Sequence, residues 1–572
     1  MCLRSPYRLI ILLWSILTII NINKAYHIDD TFHLEAANCI QKNPLKPMSG
    51  SINWDDSPTP IYKYNQPPLF FYIIFFTQSV LGENEIIMHM LISIFTLLSL
   101  IYFTKISFFL GVKHIKLLLT IFALCPAFVI NQNVMTDVPI LAISLGTMYY
   151  LLKGLKDGGL KNYVLSALLL SCGLLIKYSL LPLFFVTLLS IILSKNYKKA
   201  FVLVIPLFVL LLWSIWNVIE FDSVHIFDRP SSGFRIKKIV AFLGTLGSIS
   251  FFSVVYIYSF FEKRTTVFFI LSGFFVFSLS VPLVYFGILN ELKFNKILNY
   301  FFICNGLILM SLILIRIIEP LSKKKKEYFK TTDFPIALYI LGFSVFIGIF
   351  APFNATRHIL LLIPFLILFG HKQFEKSRGI LNNLVLTSTI ILGVLLGISD
   401  WIYADFYRKI ARKIEVKDTV WSIGHWGWQW YSKKNGMKIY SSENELNVRN
   451  GDIVVYPKEV PRQKLSADIG VDTINFITDS PNFLTFISGK NFASMYNSFW
   501  DKPAWSLSNI TIDTVFICKV NKEIGVGDMV SRIKSDDNWF DMVKRKANDK
   551  GLPVDSMLIL EATYVINEKR KE

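Results

Sequence analysis

Apolar residues fall in long blocks separated by short polar stretches. A bilayer-crossing helix needs about 20 mostly apolar residues. On that criterion the pattern predicts spans at 8–23, 86–108, 117–131, 137–152, 163–176, 180–194, 200–216, 238–260, 266–286, 297–317, 334–351, 358–370 and 379–399. Those thirteen runs define an all-α polytopic membrane domain over residues 1–399. The apolar run at 68–81, opening Pro68-Leu69-Phe70-Phe71-Tyr72, is read as an interfacial helix rather than a fourteenth span. It lies in the first outer loop, residues 24–85.

Charge placement decides between the two counts. With thirteen spans and the N-terminus inside, the inner segments of residues 1–399 hold 22 Lys/Arg and 6 Asp/Glu, and the outer segments hold 12 and 12. Cytoplasmic loops carry the excess of basic residues, so this arrangement is favoured. It puts Lys195, Lys198, Lys199 and the block Lys323–Lys326 inside. A span at 68–81 would reverse every later loop. The first run follows Arg4 and Arg8 but has no small-residue cleavage site after it, so it is read as a retained anchor.

Beyond residue 399 the pattern changes. Residues 400–572 hold 25 Lys/Arg and 23 Asp/Glu and no run long enough to span. Short β-rich runs occur at 452–457, 473–477 and 514–518. Helices are expected over 427–434, 536–548 and 554–567, the last two separated by Gly551 and Pro553. The expectation is a C-terminal soluble α/β domain, residues 400–572, on the outer face. Hydrophobic residues make up 53% of the chain and charged residues 17%, against about 25% charged in soluble domains. That excludes a water-soluble globule, a disordered chain and a coiled coil. The net charge of +18 is therefore read as topology, and no nucleic-acid partner is expected. The six cysteines form no C-x-x-C pair.

Candidate chemistry gathers at the outer ends of the spans. Asp29 and Asp30 follow the first span, Asp137 opens the fourth, Lys177 closes the fifth, and Arg357 opens the twelfth. Two cations and several carboxylates thus share one depth, which is also the depth of a lipid phosphate. Lys and Arg bind phosphate through charge-assisted hydrogen bonds, and a carboxylate can act as a general base. The bland alternatives are a solvated loop at Asp29-Asp30 and cations snorkelling to headgroups. His225 reads as a surface or structural histidine before a ligand. Trp426, Trp428 and Trp430 read as core and interface before a sugar-stacking surface.

The order of these segments resembles the GT-C class of polyprenyl-phosphate-sugar glycosyltransferases, which includes the protein O-mannosyltransferases and the lipid A aminoarabinose transferases. Asp29-Asp30-Thr31-Phe32-His33-Leu34-Glu35 is similar to the Asp-Glu motif of the family's first outer loop, with Asp30 in place of Glu. Asn65-Gln66-Pro67-Pro68-Leu69 is similar to the start of its interfacial helix. Met135-Thr136-Asp137-Val138-Pro139, Leu175-Ile176-Lys177-Tyr178 and Thr356-Arg357-His358-Ile359-Leu360-Leu361-Leu362-Ile363-Pro364 resemble its acidic, L-x-K and R-x-x-L-L-P segments.

The resemblance covers residues 1–400 and implies a bacterial inner-membrane enzyme with a cytoplasmic N-terminus and a periplasmic C-terminal domain. It implies sugar transfer, with inversion, from a polyprenyl-phosphate donor to a lipid, glycan or protein acceptor. The catalytic residues are then Asp29, the base, and Asp30, which shapes the site. Lys177 and Arg357 hold the lipid phosphate. Asp137, Gln66 and His225 bind substrate or shape the site. The resemblance fixes no cofactor; Asp30 and Asp137 could hold a divalent cation. Gln66 replaces the cation that the aminoarabinose transferases carry, which disfavours that sugar. The competing readings are an oligosaccharide ligase or polymerase, a secondary transporter and a non-catalytic relative. The transporter reading lacks a repeat and charged residues at mid-span.

Overall fold

All thirteen apolar runs are helical in the computed structural model of the protein, which describes residues 6–64, 66–228, 233–323, 325–466, 469–488, 495–496, 500–522 and 525–569. Arg4, Asn65 and Lys324, all used above, lie outside the described residues.

Not every run is a single long helix. Among the described residues seven helices are long and apolar enough to cross a bilayer: Glu85–Phe109, Asp137–Asp157, Tyr197–Phe221, Arg264–Tyr285, Glu291–Lys323, Asp333–Phe350 and Gly379–Lys413. An eighth is counted if Ile236–Ile249 and Ser253–Phe261, bent by 90°, form one span. Pro6–Asn21, Leu160–Ile176 and Tyr178–Leu193 are apolar but shorter. The run at 117–131 is broken into Ile115–Ala123 and Pro126–Ile130, and the run at 358–370 into Thr356–Ile359 and Ile363–Phe369. Proline explains both breaks. Pro126 and Pro364 sit in the first turn of the second piece, where the missing N–H costs nothing.

The chain divides into two compact units. The first comprises Met1–Ile52, Thr59–Lys409 and Asp479–Asp513, and the second comprises Asn53–Pro58, Ile410–Thr478 and Thr514–Glu572. The composition break at 399 falls within the helix Gly379–Lys413, and the first unit runs on to Lys409. The described residues within Asp479–Asp513, expected in the soluble domain, belong to the first unit. Their anchors are buried: Met495 and Tyr496 are 0% exposed, and the Trp505 indole donates to the Ser248 carbonyl at 3.0 Å.

Apolar side chains cover much of the helical unit's outside. Phe268, Phe269 and Phe275 on Arg264–Tyr285 are 68%, 72% and 68% exposed. Large exposed apolar surfaces mark a membrane contact, so the chain is a multi-pass membrane protein. Inside the unit, close helix contact depends on glycine. A methyl on Gly247 would strike the Phe302 carbonyl, and one on Gly306 would strike the Leu243 carbonyl. The helices Ile236–Ile249 and Glu291–Lys323 thus meet backbone to backbone, the packing that small residues permit in membranes. Gly247→Ala or Gly306→Ala should lower the melting temperature in detergent, each costing about 1–3 kcal/mol of overpacking. Gly273→Ala, with nothing within 4 Å of the added carbon, should leave it unchanged.

The second unit carries a five-stranded sheet in the order Lys438–Ile439, Val420–Ser422, Ile453–Pro457, Thr514–Lys522, Ile469–Thr478. The first three strands run parallel and the remaining pairings are antiparallel. Trp421, Tyr440, Val454 and Val520 form its core. The helices Trp426–Lys434, Asp537–Lys550 and Val554–Lys569 lie at the expected places, with Gly551 at φ 63° ending the second. Val526–Ser535 is an additional helix, and its Met529 and Ile533 pack with Val543, Leu558 and Ala562. Trp428 is fully buried, so it contributes to this unit's core and not to a stacking surface.

Candidate functional site

Each charged residue singled out above stands where a helix starts or stops. Asp29 is the N-cap of Asp30–Lys42, yet its carboxylate makes no capping bond. Asp137 opens Asp137–Asp157, where the helix dipole favours an anion. Lys177 follows Leu160–Ile176 in extended backbone, and Pro182 lies in the first turn of the next helix. Arg357 lies in the single turn Thr356–Ile359.

The fold brings these four side chains into two ion pairs. Arg357 Nη1 donates to Asp29 Oδ2 at 2.5 Å, and Lys177 Nζ donates to Asp137 Oδ1 at 2.8 Å. The pairs are not independent. Arg357 feels both Asp29 and Asp137, and Lys177 feels Asp137, Arg357 and Asp29. Asp29 is the most open of the four, at 29% side-chain exposure against 9% for Arg357, 12% for Lys177 and 4% for Asp137. Arg357 also approaches Met135 Sδ at 3.5 Å, and its Nε has no partner. Spare guanidinium donors beside an accessible carboxylate can receive an anion.

Asp30 lies elsewhere. It is 0% exposed, and its Oδ2 accepts the His27 N–H at 2.8 Å while Oδ1 has no partner. Burial drives its carboxyl up to about 8, against the opposing pull of the His27 N–H and the Lys24 charge. Asp137 is committed to Lys177, and no group of three His, Cys, Asp or Glu able to hold a metal occurs among the described residues.

His225 is a structural link. Its Nε2 faces the Tyr64 carbonyl at 2.7 Å, its Nδ1 faces the Tyr178 hydroxyl at 3.1 Å, and the Trp213 indole donates to that hydroxyl at 2.7 Å. One proton arrangement satisfies every group: Trp213 to Tyr178, Tyr178 to His225 Nδ1, and His225 Nε2–H to Tyr64. The chain thereby fixes Tyr178, the neighbour of Lys177. Gln66 is half-buried, with a side-chain carbonyl that has no partner.

Sequence reasoning missed the polar network behind Asp29. Lys24 is 1% exposed and forms an ion pair with Asp400. Its ammonium also donates to Asn133 Oδ1 at 2.6 Å and to the Ile130 carbonyl at 3.2 Å. Tyr496 donates to Asp400 at 2.8 Å and accepts from Asn133 Nδ2 at 2.6 Å. The preceding Met495 carbonyl accepts Thr356 Oγ1 at 2.5 Å and the Thr356 N–H at 3.2 Å. Residues 495–496 thus hold both the turn bearing Arg357 and the Lys24 network. A buried ion pair costs much desolvation, and removing one partner costs about 3–5 kcal/mol. Lys24→Ala should lower the melting temperature of the purified protein accordingly, and Lys24→Met combined with Asp400→Leu should regain most of the loss.

Part of the chain is similar to known proteins. Residues 65–218 match the family model described as dolichyl-phosphate-mannose-protein mannosyltransferase. That stretch contains Gln66, Asp137 and Lys177 but not Asp29 or Arg357. Nothing matches among curated proteins. Among solved structures the chain is similar to ArnT from Cupriavidus metallidurans bound to undecaprenyl phosphate, at 11% identity and TM-score 0.39, covering 79% of this chain and 92% of that one. It is also similar to the Archaeoglobus fulgidus oligosaccharyltransferase tethered with an acceptor peptide, at 10% identity and TM-score 0.43, covering 77% of this chain and 64% of that one. The family match and the motif order agree: the chain resembles the GT-C membrane glycosyltransferases.

Proposed function

We propose that the protein is an inverting glycosyltransferase of the bacterial inner membrane that takes a sugar from a polyprenyl phosphate on the periplasmic side. The acceptor is a lipid, glycan or protein. The observation that carries this reading is the single cluster of Asp29, Arg357, Asp137 and Lys177.

The reaction needs a base near the acceptor and cations near the leaving phosphate. Asp29 takes the proton of the acceptor hydroxyl. That oxygen forms a bond to the anomeric carbon, and the bond from that carbon to the phosphate oxygen breaks on the opposite face. The electron pair stays on the phosphate, whose growing charge Lys177 and Arg357 stabilise. Asp137 keeps Lys177 charged and aimed at this position. Arg357 has a dual relation to Asp29. Before the donor arrives it holds the base in an ion pair, and a phosphate that engages the guanidinium competes with that carboxylate.

The test is lipid binding by the purified protein. Undecaprenyl phosphate should bind, and undecaprenol, which lacks the phosphate, should bind at least about tenfold more weakly, since charge-assisted hydrogen bonds contribute about 1.5–3 kcal/mol each. Equal binding of the two lipids would remove the phosphate site and the reading with it.

A further inference from the structure

The two adjacent aspartates do different work. We infer that Asp30 is a positioning residue: its buried carboxyl group fastens the turn His27–Asp30, and that turn aims Asp29 at Arg357. The inference rests on the transferase reading above and assigns a role within the same site.

The turn is strained. Ile28 has φ 51°, a left-handed conformation that is a genuine outlier for a β-branched residue. Such strain costs on the order of 1–3 kcal/mol and persists only where the surroundings over-determine it. The restraints are visible. The Asp30 N–H donates to the His27 carbonyl at 3.1 Å, and Asp30 Oδ2 accepts the His27 N–H at 2.8 Å. Residues 27 and 30 therefore exchange two hydrogen bonds around Ile28. The Thr31 hydroxyl adds a contact to the Ile28 carbonyl at 3.3 Å. The His27 ring is packed edge-on against Tyr403 and Tyr496, at 4.5 and 5.4 Å between centroids.

This locked turn has one open product, the Asp29 side chain. Asp29 caps nothing and reaches Arg357 at 2.5 Å. Asp30 cannot share that role, because it is 0% exposed and directed into the turn. Nor does it gain a cation: Lys24 is bound by Asp400. What the turn requires at position 30 is a short side chain with one acceptor oxygen and no need for charge. Asparagine supplies that oxygen.

The experiment compares Asp29→Asn, Asp30→Asn and Asp30→Ala in cells otherwise lacking the protein. The readout is the sugar-bearing envelope product that the unaltered chain makes, quantified by mass spectrometry at equal membrane levels. Undecaprenyl phosphate binding is measured in parallel. Asp30→Asn should stay within about threefold of the unaltered chain, since it keeps the acceptor. Asp30→Ala should lose about 10²-fold, the cost of misplacing a reacting group by about 1 Å, while still binding undecaprenyl phosphate. Asp29→Asn should make no product. The inference is overturned if Asp30→Asn is as inactive as Asp29→Asn while binding the lipid normally, since Asp30 would then need its ionisable proton. It is also overturned if Asp30→Ala is fully active. Full activity of Asp29→Asn would instead overturn the transferase reading, and the positioning role would go with it.

Discussion

Asp29→Asn should stop sugar transfer and, at the same time, tighten the grip on the lipid phosphate. A general base contributes about 10²- to 10⁴-fold in rate, and an amide cannot take the hydroxyl proton. Expression and the melting temperature should hold, because Asp29 makes no capping bond and is the most exposed of the four charged groups. The second effect follows from the Asp29–Arg357 ion pair. In the unaltered protein the phosphate must compete with a carboxylate 2.5 Å from Arg357 Nη1. Removing the carboxylate's charge removes the competitor. A part-exposed pair contributes up to about 1 kcal/mol, so undecaprenyl phosphate affinity should rise about fivefold in a binding titration. Unchanged affinity would mean that Arg357 serves the phosphate without leaving Asp29.

Arg357→Ala should show the opposite pattern, with weakened lipid binding and weakened transfer. Each charge-assisted hydrogen bond is worth about 1.5–3 kcal/mol, so undecaprenyl phosphate affinity should fall by about 10- to 100-fold. Lys177→Ala should lose a similar amount and would also leave Asp137 without its ion-pair partner at 4% exposure. Arg357→Lys should recover only part of the affinity, because an ammonium lacks the planar fork that matches a phosphate. Discrimination against undecaprenol should collapse in both alanine variants. A variant that keeps full discrimination would place the phosphate away from these cations.

Much of this arrangement was legible in the sequence for a physical reason. A single lysine or arginine at the end of an apolar run can snorkel to the headgroups, so Lys177 and Arg357 stood out only because Asp29, Asp30 and Asp137 fall at the same depth. The helices were legible too, because apolar runs next to lipid have few other options. Their breaks were less so. Pro126 and Pro364 marked two of them, but nothing in Ser248–Ser253 announced a 90° bend. The Lys24–Asp400–Tyr496–Asn133 network was out of reach. Lys24 and Tyr496 are 472 positions apart, and each looks like an ordinary loop or surface residue in its own neighbourhood. Tyr496 lies in a stretch whose polar composition suggested the soluble domain, although Met495 and Tyr496 are anchored within the helical unit.

Asp30 shows a further limit. In the sequence it stood beside Asp29 as a second carboxylate of the same site. At the first turn of a helix, however, successive side chains diverge by about 100°, so one carboxylate reaches Arg357 and the other closes the turn. His225 read as a surface or structural histidine before a ligand, and both its nitrogens are engaged within the protein.

The most direct measurement is mass spectrometry of envelope lipids and surface glycans from cells carrying either the unaltered chain or Asp29→Asn. With the unaltered chain, an acceptor should carry one added sugar. With Asp29→Asn that acceptor should lack the sugar, and the matching polyprenyl-phosphate sugar should accumulate. Identical lipid and glycan profiles from the two strains would contradict the account.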